Sequence, residues 1–218
     1  SPYLFYFDYG YFHLMGSSPE TQLHITNDIA YISPIAGTFK RSGNDIQDAE
    51  IAQSLKNNPK ENAEHIMLVD LARNDLATFG KNIKIEALKE IQFYSHLIHL
   101  VSKVSANIIP QQWLEIVTHT FPAGTLTGAP KYKAMQLIDK YESENRGFYG
   151  GTIGMITPTQ NGVIYNHAIM IRSILSKNNT LFYQAGAGVV VDSSPESELA
   201  EVNNKISALR LSINNANS

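Results

Sequence analysis

Strand-like segments of this 218-residue sequence come in runs, and helical segments interrupt these runs without alternating with them. Alternating or β-branched apolar residues between turn residues predict strands at residues 3–9, 11–15, 22–26, 29–35, 83–85, 91–107, 151–157, 162–174, 180–184 and 189–191. Apolar periodicity and capping residues predict helices at 44–56, 58–77, 111–118, 130–141 and 194–214. Because doubly wound parallel sheets need alternating strands and helices, this order predicts an α+β fold with largely antiparallel sheets in one domain.

Composition excludes several classes of function. The formal net charge is −3 and there is no long basic run, so nothing favours nucleic-acid binding. No apolar segment has the length of a membrane span, and no signal-peptide pattern opens the sequence. The sequence has no cysteine, which excludes disulfides, cysteine-bound metal and a cysteine nucleophile within it. We therefore expect a cytoplasmic protein that binds neither nucleic acid nor membrane.

Residues 184–205, QAGAGVVVDSSPESELAEVNNK, combine a glycine turn with a marked helix start. Gly186 and Gly188 lack a Cβ, so the backbone there can approach a ligand closely. Ser194 is a good N-cap and is followed by a first-turn proline. One side of the helix then carries Glu198, Glu201 and Lys205. The segment suits an anionic ligand held with a divalent cation, although such acidic residues also simply complement a helix dipole.

A second helix start repeats this spacing of carboxylates. Glu61 and Glu64 follow the Asn58-Pro59 start, where Glu61 is also placed to complete a capping box. If the two helix starts face each other, four carboxylates converge. An oxygen-rich cluster of this kind favours magnesium or manganese, and magnesium usually takes only one or two protein carboxylates.

Thr125 and Arg172 stand out among the remaining polar residues. Thr125 lies in the string FPAGTLTGAPK. A loop with helix-capping residues explains the glycines and prolines of this string, but it does not explain the hydroxyl group of Thr125. Arg172, in the apolar string AIMIRS, is a charge that requires an anionic partner.

Three further candidates have weaker local signals. By strand alternation His99 shares a face with Val101 while His96 points to the opposite face, and a single inward histidine is more often a core residue than a functional one. Tyr149 lies between the glycines of RGFYGG. Glu20 ends GSSPE at a predicted strand end, where its carboxyl group can reach a site.

Taken together, these strings resemble the chorismate-utilising enzymes, most closely the branch formed by the catalytic component of anthranilate synthase. The matching strings follow one another along nearly the whole chain: PIAGT, KENAEHIMLVDLARND, YSHLIHLVS, PAGTLTGAPK, RGFYGG, AIMIRS and QAGAGVVVDSSPESELAEVNNK. The resemblance implies one large α+β domain, with two stacked, curved sheets and helices outside. Chorismate and Mg²⁺ would bind between the sheets.

The resemblance also assigns roles to residues. It implies that Glu64 and Glu201 hold Mg²⁺, while Glu61 and Glu198 orient its waters or complete its shell. The substrate would meet Gly37, Thr38, Tyr149, Arg172, Gly186, Gly188 and Lys205. Within this set, the enolpyruvyl carboxylate would bind Arg172 and Tyr149, and the ring carboxylate would bind near the two glycines of residues 184–205. The catalytic residues would be Glu20, His99 and Thr125.

The implied reaction converts chorismate and ammonia into anthranilate and pyruvate, as in tryptophan biosynthesis. Glu20 would protonate the leaving ring hydroxyl, and His99 would act in pyruvate elimination. Glutamine hydrolysis needs a cysteine nucleophile, so a separate glutamine amidotransferase subunit would supply the ammonia.

Two kinds of alternative function remain open: another enzyme of the same family, and a protein that is not an enzyme. Aminodeoxychorismate synthases that form a covalent intermediate carry lysine at the third position of PIAGT, which is Ala36 in this sequence. Isochorismate and salicylate synthases share the scaffold. Family members are much longer, so we expect residues 1–218 to be the C-terminal part of a catalytic domain. A non-catalytic fragment that binds Mg²⁺ and carboxylates is the alternative of another class.

Overall fold

The computed structural model describes residues 2–94, 97–191 and 193–216, with only the backbone at Thr38 and Lys60. In this part of the chain the strands form two sheets in which neighbouring strands pair antiparallel. The strands are β1 (Tyr3–Asp8), β2 (His13–Ser18), β3 (Thr21–Thr26), β4 (Ile29–Ile32), β5 (Ile35–Lys40), β6 (Lys81–Phe93), β7 (Leu97–Asn107), β8 (Thr152–Pro158), β9 (Val163–Ile169), β10 (Ser173–Lys177) and β11 (Thr180–Phe182).

The chain crosses from one sheet to the other at two places. The smaller sheet has the order β1-β2-β10-β11, and the larger has the order β5-β7-β4-β3-β9-β8, with β6 also paired to β7. The chain therefore leaves the smaller sheet between β2 and β3 and returns to it between β9 and β10. These two crossovers position the site described below.

Six helices are present in the described part of the chain. They are α1 (Asp45–Asn57), α2 (Pro59–Ala77), α3 (Trp113–Thr120), α4 (Gly124–Thr127), α5 (Lys131–Tyr141) and α6 (Pro195–Ala216), and a 3-10 turn, Pro110–Gln112, precedes α3. The Asn58 side chain accepts from the Glu61 N–H at 3.2 Å and the Ser194 hydroxyl accepts from the Ser197 N–H at 3.2 Å, so both predicted N-caps are formed. None of the helices in residues 2–94, 97–191 and 193–216 is long and apolar enough to span a bilayer.

The main core lies between the larger sheet and the helices α2 and α3. Its largest cluster joins sheet residues such as Leu23 and Val104 to Leu76 of α2 and Ile116 of α3, all of them buried. A second cluster packs α1 against β7. Burial of apolar side chains on one face of the sheet holds α2 in place, and α2 in turn positions Glu61 and Asp75.

The structure confirms the α+β class with antiparallel sheets but divides three of the predicted strands. The strand predicted at 29–35 ends at Ile32, because Pro34 has no N–H to continue a ladder, and β5 begins anew. The segment 91–107 is a hairpin closed by the Tyr94 N–H on the Leu97 carbonyl at 2.8 Å. The segment 162–174 breaks before Arg172, whose φ of 49° is left-handed.

The strand predicted at 189–191 was wrong. Val191 is completely exposed, and the Ser193 N–H donates to the Val190 carbonyl at 3.0 Å, which makes this segment a turn before α6. His96 of the predicted strand at 91–107 lies outside the described residues.

Candidate active site

The two crossovers between the sheets lie side by side. The Ser17 N–H donates to the Arg172 carbonyl at 3.1 Å, and the Ile169 N–H donates to the Glu20 carbonyl at 3.0 Å. These bonds tie the β2–β3 crossover, which carries Glu20, to the β9–β10 crossover, which carries Arg172. Arg172 was expected within a strand; its place at a junction brings its charge near the carboxyl group of Glu20.

Glu20 lies in an environment that favours its neutral form. Burial raises the pKa of its carboxyl group to about 7, and the Thr125 hydroxyl, Lys205 and Arg172 each pull the pKa down by smaller amounts. The Thr125 hydroxyl is buried and makes no hydrogen bond of good geometry in the part of the chain described here. A carboxyl group with this pKa can hold a proton near neutral pH and release it to a substrate oxygen.

Gly186 is hydrogen-bonded to two other predicted substrate-binding residues, Lys205 and Tyr149. The Lys205 Nζ donates to the Gly186 carbonyl at 3.0 Å and also pairs with Glu201 Oε1 at 2.6 Å. The Tyr149 hydroxyl is hydrogen-bonded to the Gly186 backbone, and a Cβ added at Gly186 would lie 3.3 Å from that hydroxyl. The close contact explains why glycine is suited to this position, and burial raises the pKa of Tyr149.

Gly37 and His99 contact each other, and the charge of Arg172 acts on His99. His99 Nδ1 lies 3.2 Å from the Gly37 carbonyl, so Nδ1 carries the proton. Burial lowers the pKa of His99, an effect that the Gly37 contact opposes and the charge of Arg172 reinforces, and the imidazole is neutral at pH 7. Gly37 has a φ of +64°, and a Cβ there would lie 2.5 Å from Leu55 Cδ1 and 3.0 Å from Glu61 Oε2.

The carboxylates of α2 and α6 do not form one tight cluster. Glu61 Oε2 approaches Gly37, and the Asn58 N–H donates to the Leu55 carbonyl at 3.2 Å, which leaves the reciprocal half of the capping box unformed. Glu198 Oε2 is buried without a hydrogen bond in the described part of the chain. Within residues 2–94, 97–191 and 193–216, no three histidine, aspartate or glutamate side chains stand close enough to hold a metal ion.

These residues nevertheless fit a hard cation bound by few protein ligands. All four candidate donors are carboxylate oxygens, and the buried, unpartnered oxygen of Glu198 can accept from a metal-bound water. Glu64 is an exposed residue of the second turn of α2. A Cβ added at Gly188 would meet nothing within 4 Å. The side chain of Thr38 lies outside the described residues.

Arg146 contacts residues of the site, but the sequence analysis did not predict it. Its Nη1 donates to the Leu126 carbonyl at 2.7 Å, its guanidinium lies 5.6 Å from the centre of the Tyr149 ring, and Glu142 holds it through two hydrogen bonds. Arg146 thus connects α4, which carries Thr125, with Tyr149. The signal was its place at the start of RGFYGG, a cation directly before a glycine turn.

The buried pair of Asp75 and Lys131 was also missed. Lys131 Nζ lies 2.7 Å from Asp75 Oδ2 and donates to the Thr120 carbonyl at 3.2 Å. The bond anchors the start of α5, and with it the preceding segment that carries Thr125, to α2. Burial raises the pKa of Asp75, while Lys131 and His119 lower it.

Comparisons with known proteins identify the family of this chain. Residues 1–210 match the family model described as chorismate binding enzyme. Anthranilate synthase component 1 of Neisseria gonorrhoeae is 45% identical over 212 residues, which are 96% of this chain and 43% of that protein. The Aquifex aeolicus protein of the same name is 41% identical over 98% of this chain and 43% of its own length. The chain thus spans less than half the length of these relatives.

Solved structures share the fold. The crystal structure of anthranilate synthase component I from Streptococcus pneumoniae superposes with a TM-score of 0.83 at 36% identity, over 94% of this chain and 45% of that one. The menaquinone-specific isochorismate synthase of Escherichia coli gives a TM-score of 0.82 at 23% identity, over 92% of this chain and 46% of that one, and shows the fold alone. On the match over residues 1–210, this chain belongs to the chorismate binding enzyme family.

Proposed function

We propose that this chain is the part of an anthranilate synthase catalytic component that converts chorismate and ammonia into anthranilate and pyruvate, a step of tryptophan biosynthesis. The observation that carries the proposal is the protonatable Glu20 beside Thr125, Lys205 and Arg172 where the two sheets meet. A buried acid among cations and hydroxyl groups suits a dianionic substrate that must lose a ring hydroxyl.

Two groups of residues would bind the carboxylates of chorismate. The partly buried guanidinium of Arg172 lies near the carboxyl group of Glu20, and with Tyr149 it would bind the enolpyruvyl carboxylate. Lys205 and the backbone at Gly186 and Gly188 would meet the ring carboxylate. Gly37, Thr38 and Thr125 would line the remaining wall.

Mg²⁺ would be held by Glu64 and Glu201, with its waters oriented by Glu61 and Glu198. When bound, the ion would neutralise the ring carboxylate and stabilise negative charge that develops on the ring. Glu201 would also keep Lys205 in place through their ion pair.

Proton transfer would be the work of Glu20. At neutral pH part of the population holds the proton, and the neutral carboxyl group donates it to the departing hydroxyl, which leaves as water. Arg172 and Lys205 then stabilise the carboxylate that remains. The neutral imidazole of His99, with its Nδ1 proton on Gly37, would accept a proton during pyruvate elimination.

Ala36 favours anthranilate over aminodeoxychorismate as the product. It is a buried residue of β5, next to Gly37, and has no amine that could form a covalent bond to the ring. Ammonia would come from a separate glutamine amidotransferase, since this sequence has no cysteine nucleophile.

Calorimetric titration of chorismate into the 218-residue chain tests the site, with and without Mg²⁺. We expect binding that requires the ion and that weakens at least about tenfold in Glu201→Gln. Glu196→Gln is the matched control, because Glu196 is an exposed glutamate in the first turn of the same helix, α6. Equal binding with and without Mg²⁺, or equal weakening by both substitutions, would contradict the proposed metal site.

Product analysis tests the reaction. Incubation with chorismate, Mg²⁺ and ammonium should give fluorescent anthranilate, and Glu20→Gln should abolish it while chorismate still binds. Isochorismate or aminodeoxychorismate as the product would refute the assignment to anthranilate synthesis. Chorismate binding without any product would support the alternative of a binding fragment.

A further inference from the structure

A small cavity lies directly behind Glu20, on the side of α2 and α4. Its volume is about 30 Å³, and the polar residues of its walls include Glu20, Gln22, Asp75, Thr120 and Thr125. Apolar residues such as Leu68 and Ile169 line other parts of the wall. A polar cavity needs only about 10–15 Å³ to hold one water molecule, so this one has room for one or two.

Two buried polar atoms of the cavity wall lack a hydrogen-bond partner in the described part of the chain. Gln22 is 3% exposed; its Nε2 donates to Thr120 Oγ1 at 3.1 Å, and its Oε1 has no partner. The second is Thr125 Oγ1, which makes no hydrogen bond of good geometry but lies close enough to Glu20 to lower the pKa of that carboxyl group. Leaving such groups unsatisfied costs about 1–3 kcal/mol each, so a molecule that can donate and accept hydrogen bonds is favoured there.

We propose that this cavity is a water-binding site, in which one or two ordered water molecules join the carboxyl group of Glu20 to the Gln22 amide and to the Asp75–Lys131 ion pair. Water matches the lining because it can donate to Gln22 Oε1 and to Asp75 while it accepts from Thr125. The Asp75 carboxylate is already held by Lys131 at 2.7 Å, which makes it a fixed acceptor on the far wall.

The role of this water rests on the proposed function, in which Glu20 is the acid. The water would hydrogen-bond one carboxyl oxygen of Glu20 and leave the protonated oxygen directed at the substrate. Once Glu20 has given its proton to the ring hydroxyl, the same water can donate to the new carboxylate. Gln22 is then a positioning residue, which acts on Glu20 through the water.

Gln22→Met provides a sharp test, because methionine keeps the volume and removes both polar atoms. The side chain of Gln22 hydrogen-bonds Thr120, so we expect an effect of this substitution on the pKa of Glu20 to be transmitted through the cavity. We expect a ligand-free crystal structure of the wild-type chain to show ordered water within hydrogen-bond distance of Gln22 Oε1 and Glu20. In Gln22→Met that water should be lost, and the pKa of Glu20, measured by carboxyl ¹³C NMR, should rise by about half a unit or more.

Two control substitutions distinguish the effect of losing the water from other structural effects of Gln22→Met. Thr120→Val breaks the direct bond to Gln22 but keeps the amide oxygen, so the water and the pKa of Glu20 should change less than in Gln22→Met. Gln47→Met, on the exposed surface of α1, should change neither. A dry cavity in the wild type, or a Glu20 pKa equal within about 0.2 units in wild type and Gln22→Met, would overturn the water site. Both readouts use the ligand-free chain, so they are independent of whether chorismate binds.

Discussion

At the scale of single residues, the carboxyl group of Glu20 links pH to stability. Its ordinary pKa is 4.5 and burial raises it to about 7, so between these values the folded chain keeps a proton that the unfolded chain releases. The stabilisation from this proton is complete below pH 4.5 and is lost as pH rises through 7. We expect Glu20→Gln to match the wild type at about pH 4 and to be more stable by about 1–3 kcal/mol at about pH 8. Urea denaturation across this range measures the difference; a pH-independent gap would contradict it.

Gly37 is the residue whose replacement should distort the site most directly. Alanine at Gly37 would have a left-handed backbone, and its methyl group would press on Leu55 and Glu61. We expect Gly37→Ala to lower the free energy of unfolding by about 2–4 kcal/mol, from backbone strain and overpacking together. The control is Gly43→Ala, where φ is +84° but a Cβ meets nothing within 4 Å, and strain alone should cost about 1 kcal/mol. Equal losses in the two variants, measured by urea denaturation, would show that the contacts of Gly37 do not matter.

At the scale of elements, the start of α6 fixes the helix that carries Glu201 and Lys205. The Ser194 hydroxyl accepts from the Ser197 N–H, so Ser194→Ala should cost about 1 kcal/mol and speed hydrogen exchange in the first turn. Ser207→Ala, in the interior of the same helix, should be neutral or slightly stabilising because alanine is the better helix former. Thermal unfolding and amide exchange measure both variants. Similar effects of the two substitutions would argue against a capping role.

Helix starts were predictable from the sequence, whereas strand ends were not. Asn58-Pro59 and Ser194-Pro195 are local signals, and α2 and α6 begin at these prolines as predicted. The division of residues 91–107 depends on partners elsewhere: β7 pairs with β4 along one half and with β5 along the other, while β6 covers its second edge. Apolar alternation continues through the hairpin, so the sequence pattern alone does not reveal the turn.

At the scale of the whole molecule, the site was only partly predictable from the sequence. A charge within an apolar string requires an anion, and this argument pointed to Arg172, which lies near the carboxyl group of Glu20; its role in binding substrate stays a prediction. That Glu20 is a nearby carboxylate follows only from the two adjacent crossovers, which bring distant parts of the chain together. Asp75 and Lys131 are of types that are usually exposed, and nothing in their local sequence indicates a buried pair. Metal ligation by Glu64 and Glu201 stays a prediction.

The outer edges of the two sheets make a prediction about the behaviour of the chain in solution. β1 and β8 are the last strands in the order of their sheets, and they expose apolar side chains: Leu4 is 84% and Met155 70% accessible. Strand edges with apolar side chains are templates for pairing with another copy, and lysine on such an edge opposes pairing by its charge. We expect the wild-type chain to self-associate with rising concentration in sedimentation velocity, and Leu4→Lys combined with Met155→Lys to shift it towards monomer. Ile46→Lys adds the same charge at a residue that is 74% exposed on α1, away from any strand edge, and should leave the association unchanged. A wild-type chain that stays monomeric throughout, or an equal effect of Ile46→Lys, would show that the sheet edges do not drive association.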